Sequence, residues 1–139
     1  MRIYKFGGAS VKDAEGVKNL ITILNYLGSE KTLIVVSAMG KTTNSLELVV
    51  KNYFDNKEEL QYSLNEVFNF HNKILEGLFN DNKEQIFYDV KEVFENLRIF
   101  LKRNKSPDYS FVYDQVVSFG EILSTKIINS YLNYSNIKC

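Results

Sequence analysis

Two glycine-containing segments, each placed directly after an apolar run, are the first candidates for chemistry in this chain of 139 residues. The first is Lys5-Phe6-Gly7-Gly8-Ala9-Ser10, which follows a short strand-like run and precedes a helical pattern. Glycines let the backbone approach an anion, and free N–H groups at a helix start attract negative charge. Lys5 adds a cation, and a transferring phosphoryl group needs such a fixed array of charges and donors. The segment is a candidate phosphate site, with a tight turn beside a solvated lysine as the simpler alternative.

The second candidate is Ser37-Ala38-Met39-Gly40-Lys41-Thr42-Thr43-Asn44. Its Gly-Lys-Thr is similar to the end of a P-loop, but that motif needs a glycine where Val35 stands, so we reject it. Parallel α/β sheets bind ligands beyond the carboxyl ends of adjacent strands. We therefore expect this loop to lie beside the first segment, with Ser37 and Thr43 as candidate hydroxyl donors to a ligand. Simple capping of the next helix by Thr43 is the alternative.

The third candidate is Ser118-Phe119-Gly120-Glu121-Ile122-Leu123-Ser124, which lies in a helical pattern that is apolar on two faces. Such a helix is expected to be buried on two sides, and a buried carboxylate needs a cation or hydrogen-bond donors. Glu121 is therefore a candidate for binding a ligand ammonium group, with a solvent-facing glutamate as the alternative. Gly120 weakens the helix by ~1 kcal/mol, which indicates the close approach of another group.

Apolar patterns predict the elements that position these segments. Residues 3–6 read as a strand, and a helical stripe follows over residues 17–27, with Ser10 and Asp13 as its capping box. The continuous apolar run at residues 33–36 is typical of a buried strand in a parallel sheet. A second helix follows from about Thr43, so the order is strand, helix, strand, helix. This order predicts an α/β fold with a βαβ crossover.

The middle of the chain, from about residue 52 to residue 106, predicts a helical hairpin insert with a turn at Asn80-Asp81-Asn82. Its two apolar seams are Leu60, Leu64, Val67, His71, Ile74 and Leu78, and Ile86, Val90, Val93, Leu97 and Phe100. A lone histidine on such a seam is more often a satisfied core residue than a ligand. A last helix is expected over about residues 112–134.

Composition narrows the function classes. The chain has 17 basic and 17 acidic residues and no basic stripe, which argues against nucleic-acid binding. No stretch approaches the length of a membrane span, and no Cys/His cluster has metal-ligand spacing, so we predict no metal site of this kind. The one cysteine, Cys139, fits a reducing cytoplasm. Because two strands are too few for a stable α/β core, we expect further strands from residues beyond Cys139 or from another chain.

The three segments, taken in order, resemble the aspartate kinases of the amino-acid kinase superfamily. Residues 5–11 are similar to the opening motif of that family, which commonly has Thr where Ala9 stands. Residues 35–44 are similar to its second motif and residues 117–125 to its third. The helical insert between the second and third motifs is also a family feature, and the resemblance extends from Met1 to about Leu132.

The resemblance implies ATP-dependent phosphorylation of L-aspartate to 4-phospho-L-aspartate, with Mg²⁺, on the route to lysine, threonine and methionine. It also implies a cytoplasmic protein that forms a homo-oligomer and binds neither nucleic acid nor membrane. Lys5 would bind the transferring phosphate as the catalytic cation. The phosphate-binding turn would consist of Gly7, Gly8 and Ser10, and the aspartate site of Ser37, Thr43 and Glu121, the last of these at the α-ammonium group.

The implied fold is a partial parallel sheet of the amino-acid-kinase type with flanking helices and the hairpin insert. Residues 1–139 would be the N-terminal part of the kinase domain. The rest of that domain and the small-molecule-sensing ACT domains are expected to be missing, so we expect little or no kinase activity. Two alternatives stay open at this point: another kinase of the superfamily, acting on glutamate, acetylglutamate or uridylate, and a non-catalytic helical dimerisation module.

Overall fold

The computed structural model describes residues 1–82 and 84–138, and so the prediction about Cys139 lies outside the described residues. The described elements follow one another as β1 (Arg2–Phe6), α1 (Ala14–Leu27), β2 (Thr32–Val36), α2 (Thr42–Asp55), α3 (Lys57–Leu78), α4 (Gln85–Arg103) and α5 (Tyr109–Tyr134). The predicted order of strand, helix, strand, helix and the helix-rich α/β class are confirmed.

The sheet of the described residues consists of β1 and β2, which run parallel with Phe6 opposite Val36. Alternate side chains of the two strands pack against the helices on one face. On the other face Ile3, Leu33 and Val35 are 61%, 49% and 41% exposed. The prediction that the second strand is buried is therefore wrong for half of its side chains, because the described helices cover one face of the sheet.

Helix α1 begins later than the sequence pattern predicts. Its N-cap is Asp13, whose side chain accepts a hydrogen bond from the backbone N–H of Gly16 at 2.8 Å. The prediction that Ser10 starts the helix is wrong, because the N–H of Ser10 donates to the carbonyl of Gly7 at 2.9 Å and closes a separate turn. The Asp13 carboxylate thus satisfies one of the first helical N–H groups, the role that was predicted for Ser10.

The predicted hairpin insert is confirmed as α3 and α4. Every seam residue is buried except Leu60 and Phe100, which are partly buried. The rings of Phe68 and Phe94 meet edge-on with centroids 5.3 Å apart and join the two helices. The insert therefore belongs to the same apolar core as the sheet.

Helix α5 crosses the core over 26 residues and contacts α2, α4 and β2. It begins at Tyr109 because Asp108 accepts hydrogen bonds from the next backbone N–H groups, at 2.9 Å from Ser110. Its buried residues continue from Val112 to Leu132, close to the predicted limits. Among the described residues, no helix combines the length and the apolar character that crossing a membrane requires.

Candidate functional site

The ends of β1 and β2 place two loops side by side. The first loop is residues 7–11 and the second loop is residues 37–41. The N–H of Ser37 donates to the carbonyl of Phe6 at 3.1 Å, and the N–H of Gly40 donates to the carbonyl of Gly8 at 3.0 Å. The prediction that the two polar loops lie next to each other at the carboxyl ends of parallel strands is confirmed.

Gly8 lets the two loops pack against each other, and Gly7 takes no part in this packing. A Cβ at Gly8 would lie 2.8 Å from the carbonyl oxygen of Ala38 and 2.9 Å from that of Gly40, so no side chain fits without moving backbone. A Cβ at Gly7 would meet nothing within 4 Å. Among the described residues, the N–H groups of Gly8 and Ala9 donate no hydrogen bond. Open space beside free N–H groups suits an anion.

The third segment meets the second loop and the start of α2 at Gly120. A Cβ at Gly120 would lie 3.0 Å from Cβ of Ala38 and 3.3 Å from Cγ2 of Thr42. The close approach that we expected at Gly120 is confirmed, and the approaching groups are these two side chains. Ala38 thus touches both glycines, Gly8 through its carbonyl and Gly120 through its methyl group, and the three segments form one site.

Four candidate side chains are available to a ligand. Lys5 is exposed and lies opposite Val35 in the sheet, on the face that the described helices leave open. Ser10 is exposed, and Ser37 and Thr43 are half-buried. Within residues 1–82 and 84–138, none of these four side chains takes part in a hydrogen bond or an ion pair. Their polar atoms are therefore free to contact a ligand.

Glu121 lies on the surface of α5. The prediction that two-sided burial forces a partner on this carboxylate is wrong, because Glu121 is exposed and the neighbouring Ile122 is 42% exposed. In the described part of the chain Glu121 forms no hydrogen bond or ion pair through its side chain, and it shares none with Lys5. Its role in ligand binding stays a prediction, and its place next to Gly120 puts it one residue from the contact with the second loop.

Helix α2 begins without help from Thr43. Its N-cap is Lys41, which makes no capping hydrogen bond through its side chain, so capping by Thr43 is wrong. The buried residue at this helix start is Thr42, which is 2% exposed and donates its hydroxyl hydrogen to the carbonyl of Met39 at 2.6 Å. Thr42 therefore closes the second loop, and Thr43 keeps an unengaged hydroxyl.

His71 is a satisfied core residue, as predicted. It is fully buried, and its Nδ1 donates to the carbonyl oxygen of Val67 at 2.7 Å. Burial holds the pKa of His71 below its usual value of 6.5, and the bond to Val67 offsets part of that shift. The sequence did not predict that Nε2 lies 3.4 Å from Oγ1 of Thr42, which is 29 residues away. No local pattern links residues so far apart.

The sheet, the paired strand-end loops and the helix pressed on them define a class of protein. The sequence matches the Amino acid kinase family over residues 1–139, and the chain belongs to that family.

Within that class, the chain is similar to aspartokinases. It is 32% identical to Aspartokinase 1, chloroplastic, of Arabidopsis thaliana, over 98% of this chain and 24% of the relative. It is 31% identical to Aspartokinase 2, chloroplastic, of the same plant, over 94% of this chain and 24% of the relative. The chain thus spans about a quarter of the length of these curated relatives.

A solved structure agrees with this result. The crystal structure of E. coli aspartokinase III in complex with aspartate and ADP matches with a TM-score of 0.81 and 25% identity, over 98% of this chain and 29% of that one. The partial amino-acid-kinase fold predicted from the sequence is confirmed.

Proposed function

We propose that this chain carries the phosphate turn and the aspartate-binding loop of an aspartate kinase. The observation that carries the proposal is the convergence of three segments on Ala38, with the polar side chains beside it unengaged among the described residues. Similarity to aspartokinases, one of them solved with aspartate and ADP, supports aspartate as the acceptor rather than glutamate, acetylglutamate or uridylate. It also disfavours a purely structural helical module.

The reaction would move the γ-phosphoryl group of ATP to the side-chain carboxylate of L-aspartate. A carboxylate oxygen attacks the γ-phosphorus, the bond from phosphorus to the bridging oxygen breaks, and ADP leaves with that electron pair. The products are 4-phospho-L-aspartate and ADP. Since the attacking carboxylate is already ionised at neutral pH, the step needs no general base. What it needs is a way to bring two anions together.

Lys5 and the first loop would meet that need. The Lys5 ammonium group offers a cation at the end of β1, and the free N–H groups of Gly8 and Ala9 offer donors beside the open space at Gly7. Such fixed positive groups stabilise charge on the transferring phosphoryl group more strongly than water does. Ser10 lies at the end of the same turn and could donate its hydroxyl.

Ser37, Thr43 and Glu121 would bind the amino acid. The two hydroxyls can donate to carboxylate oxygens, and the Glu121 carboxylate can pair with the α-ammonium group. An exposed ion pair contributes only ~0–1 kcal/mol. Selectivity for a free amino group would therefore come from Glu121 together with both hydroxyls, and not from the charge pair alone.

ATP would enter the site as its Mg²⁺ complex. The described residues contain no group of three or more His, Cys, Asp or Glu side chains that could hold a metal. Mg²⁺ commonly keeps several waters and is held largely by substrate phosphates. When bound to ATP it supplies positive charge to the phosphate oxygens, and the contribution of this chain is Lys5 and the N–H groups of the first loop.

The test is ligand binding by the 139-residue chain, measured by thermal shift and by calorimetric titration. We expect L-aspartate to raise the melting temperature, and N-acetyl-L-glutamate and uridylate not to, because a selective ligand of the folded state stabilises it by mass action. Glu121→Gln should lower the response to aspartate but not to Mg-ATP, and Lys5→Ala should do the reverse. Glu92→Gln, which changes an exposed glutamate on α4, is the matched control. A response to uridylate with none to aspartate would overturn the proposal.

Turnover is a separate question, since the activity of the relatives belongs to chains about four times as long. We propose that the 139-residue chain alone turns over ATP little or not at all. A coupled assay that found aspartate-dependent ADP release would contradict this. The predicted homo-oligomer and the cytoplasmic location stay predictions, and the names of both plant relatives place those proteins in the chloroplast.

A further inference from the structure

The helical insert reaches the second loop through His71, whose hydrogen bonds fix its proton. Its Nδ1 lies 2.7 Å from the carbonyl oxygen of Val67. A carbonyl can only accept a hydrogen bond, so Nδ1 carries the proton and Nε2 of the neutral ring keeps its lone pair. Because His71 is fully buried, water cannot supply a partner for Nε2.

The group facing this lone pair is the hydroxyl of Thr42, at 3.4 Å. Thr42 donates its one hydroxyl hydrogen to the carbonyl of Met39 at 2.6 Å, and Nε2 is the second and weaker acceptor of that shared hydrogen. On its other side, Cγ2 of Thr42 would lie 3.3 Å from a Cβ at Gly120. Thr42 is thus held between the insert and α5.

The residue before His71, Phe70, contacts the second loop at Gly40. Phe70 places its Cζ 3.1 Å from where a Cβ of Gly40 would be, and Gly40 has a φ of 55° that favours glycine. The rings of Phe70 and His71 stand edge-on with centroids 5.2 Å apart. Two successive residues of α3 therefore contact the second loop at Gly40 and the start of α2 at Thr42.

We propose that His71 is a positioning residue, whose Nε2 holds Thr42 and thereby sets the conformation of the second loop and of the start of α2, which present Ser37 and Thr43 to a ligand. The identity of that ligand as aspartate rests on the proposed function. A histidine that only filled the core would leave the loop unchanged when replaced by a side chain of similar volume.

Three variants separate positioning from filling. His71→Leu keeps the core filled by an apolar side chain of similar volume and removes both ring nitrogens. His71→Gln keeps an amide that can still face the Thr42 hydroxyl. Leu75 lies one helical turn further along α3 and is also fully buried, so Leu75→Ala lowers stability and leaves the side chains of His71 and Thr42 in place.

The tautomer can be read directly, because His71 is the one histidine of the chain. Nitrogen-15 NMR of the labelled protein should show a neutral ring with the proton on Nδ1. A ring with the proton on Nε2 would overturn the proposal, since that nitrogen could not then accept from Thr42.

Hydrogen exchange measures the loop itself and needs no ligand. At conditions that give the three variants equal global stability, we expect amides of residues 37–43 to exchange about two- to fivefold faster in His71→Leu. This is the lower part of the effect of losing one buried hydrogen bond, because Nε2 is the weaker acceptor of the Thr42 hydrogen. His71→Gln should recover most of the protection. Equal exchange in His71→Leu and Leu75→Ala would mean that His71 only fills space, and the proposal would fail.

Ligand binding then links the loop to the site. His71→Leu should weaken L-aspartate binding about fivefold relative to Mg-ATP binding, because Mg-ATP contacts the first loop. An equal loss of affinity for L-aspartate and for Mg-ATP would contradict a specific role for the second loop. If the wild-type chain binds no aspartate, the proposed function fails for this chain, while the tautomer and the exchange rates still decide whether His71 positions the loop.

Discussion

The contrast between Gly8 and Gly7 gives the sharpest prediction from this structure. The two residues are adjacent and neither has a positive φ, so alanine is allowed by the backbone at both. The two positions differ only in the space that is available for a Cβ atom. A Cβ at Gly8 would sit more than half an ångström inside ordinary contact with two carbonyl oxygens, while a Cβ at Gly7 would meet nothing within 4 Å.

The magnitude for Gly8→Ala follows from what must move. Both obstructing atoms, on Ala38 and Gly40, are backbone atoms of the second loop, so the loops must separate. Overpacking of this kind costs about 1–3 kcal/mol. Loss of the hydrogen bond from Gly40 to Gly8 adds about 0.5–1.5 kcal/mol. We expect the free energy of unfolding to fall by about 2–4 kcal/mol, which lowers the melting temperature by roughly 6–16 °C for a chain of this size.

Gly7→Ala should change the free energy of unfolding by less than about 0.5 kcal/mol, or raise it slightly by restricting the unfolded chain. Urea unfolding followed by circular dichroism measures both variants, with equal slopes required for the comparison. If Gly8→Ala unfolds at the wild-type urea concentration, or if Gly7→Ala loses as much stability as Gly8→Ala, the steric reasoning is refuted. Since the space beside Gly7 is where a phosphate would approach, Gly7→Ala should weaken Mg-ATP binding at unchanged stability.

Three further predictions concern charge, packing and capping. Because burial lowers the pKa of His71, the unfolded chain binds the proton more readily than the folded chain. The free energy of unfolding should therefore fall as the pH drops below about 6.5, by up to ~1.4 kcal/mol per pH unit. Urea unfolding at about pH 5.0–7.5 measures this dependence. His71→Gln should flatten this slope. Gly120→Ala should lower the free energy of unfolding by about 0–2 kcal/mol in the same assay. The new methyl group would press on Ala38 at a cost of about 1–3 kcal/mol, and the better helix propensity of alanine offsets about 1 kcal/mol of that cost. Asp13→Ala should lower the melting temperature by removing the cap on Gly16, worth about 0.5–2 kcal/mol, and Asp13→Ser should restore most of it.

Each of these predictions has an outcome that contradicts it. An unchanged pH slope in His71→Gln would assign the proton to another group. A Gly120→Ala variant that is more stable than the wild type by the full ~1 kcal/mol of helix propensity would show that α5 can move away from the second loop at no cost. Equal melting temperatures for Asp13→Ala and Asp13→Ser would show that the side chain at position 13 does not cap α1.

Periodic apolar residues predicted the elements well, because each pattern is a local consequence of one buried face. The seams of α3 and α4 are buried over nearly their whole length, and the limits of α5 differ from the prediction by a few residues. The start of α1 was missed, because a Gly-Gly turn and a helix cap use the same small polar residue types. Ser10 closes the turn, and Asp13, three residues later, caps the helix.

The order of the strands predicted that the first two segments lie side by side, but the contact of the third segment with them could not be predicted. The meeting of Gly8, Ala38 and Gly120 depends on packing between elements far apart in the chain. Burial of Glu121 was inferred from a second apolar face of α5, but Ile122 beside it is also exposed, so hydrophobicity around a helix did not specify which side is covered. The link between His71 and Thr42 has the same long-range origin.

The contact between Ala38 and Gly120 leaves room for one methyl group shared by two positions. Cβ of Ala38 would lie 3.0 Å from a Cβ at Gly120, which is tighter than ordinary contact, so two side chains fit here only if α5 or the second loop shifts by a few tenths of an ångström. Natural variation in this pair should therefore be compensatory: Ala with Gly or Gly with Ala, and seldom two larger residues. The pair would appear in an alignment of relatives as a coupled position rather than as two independently conserved ones.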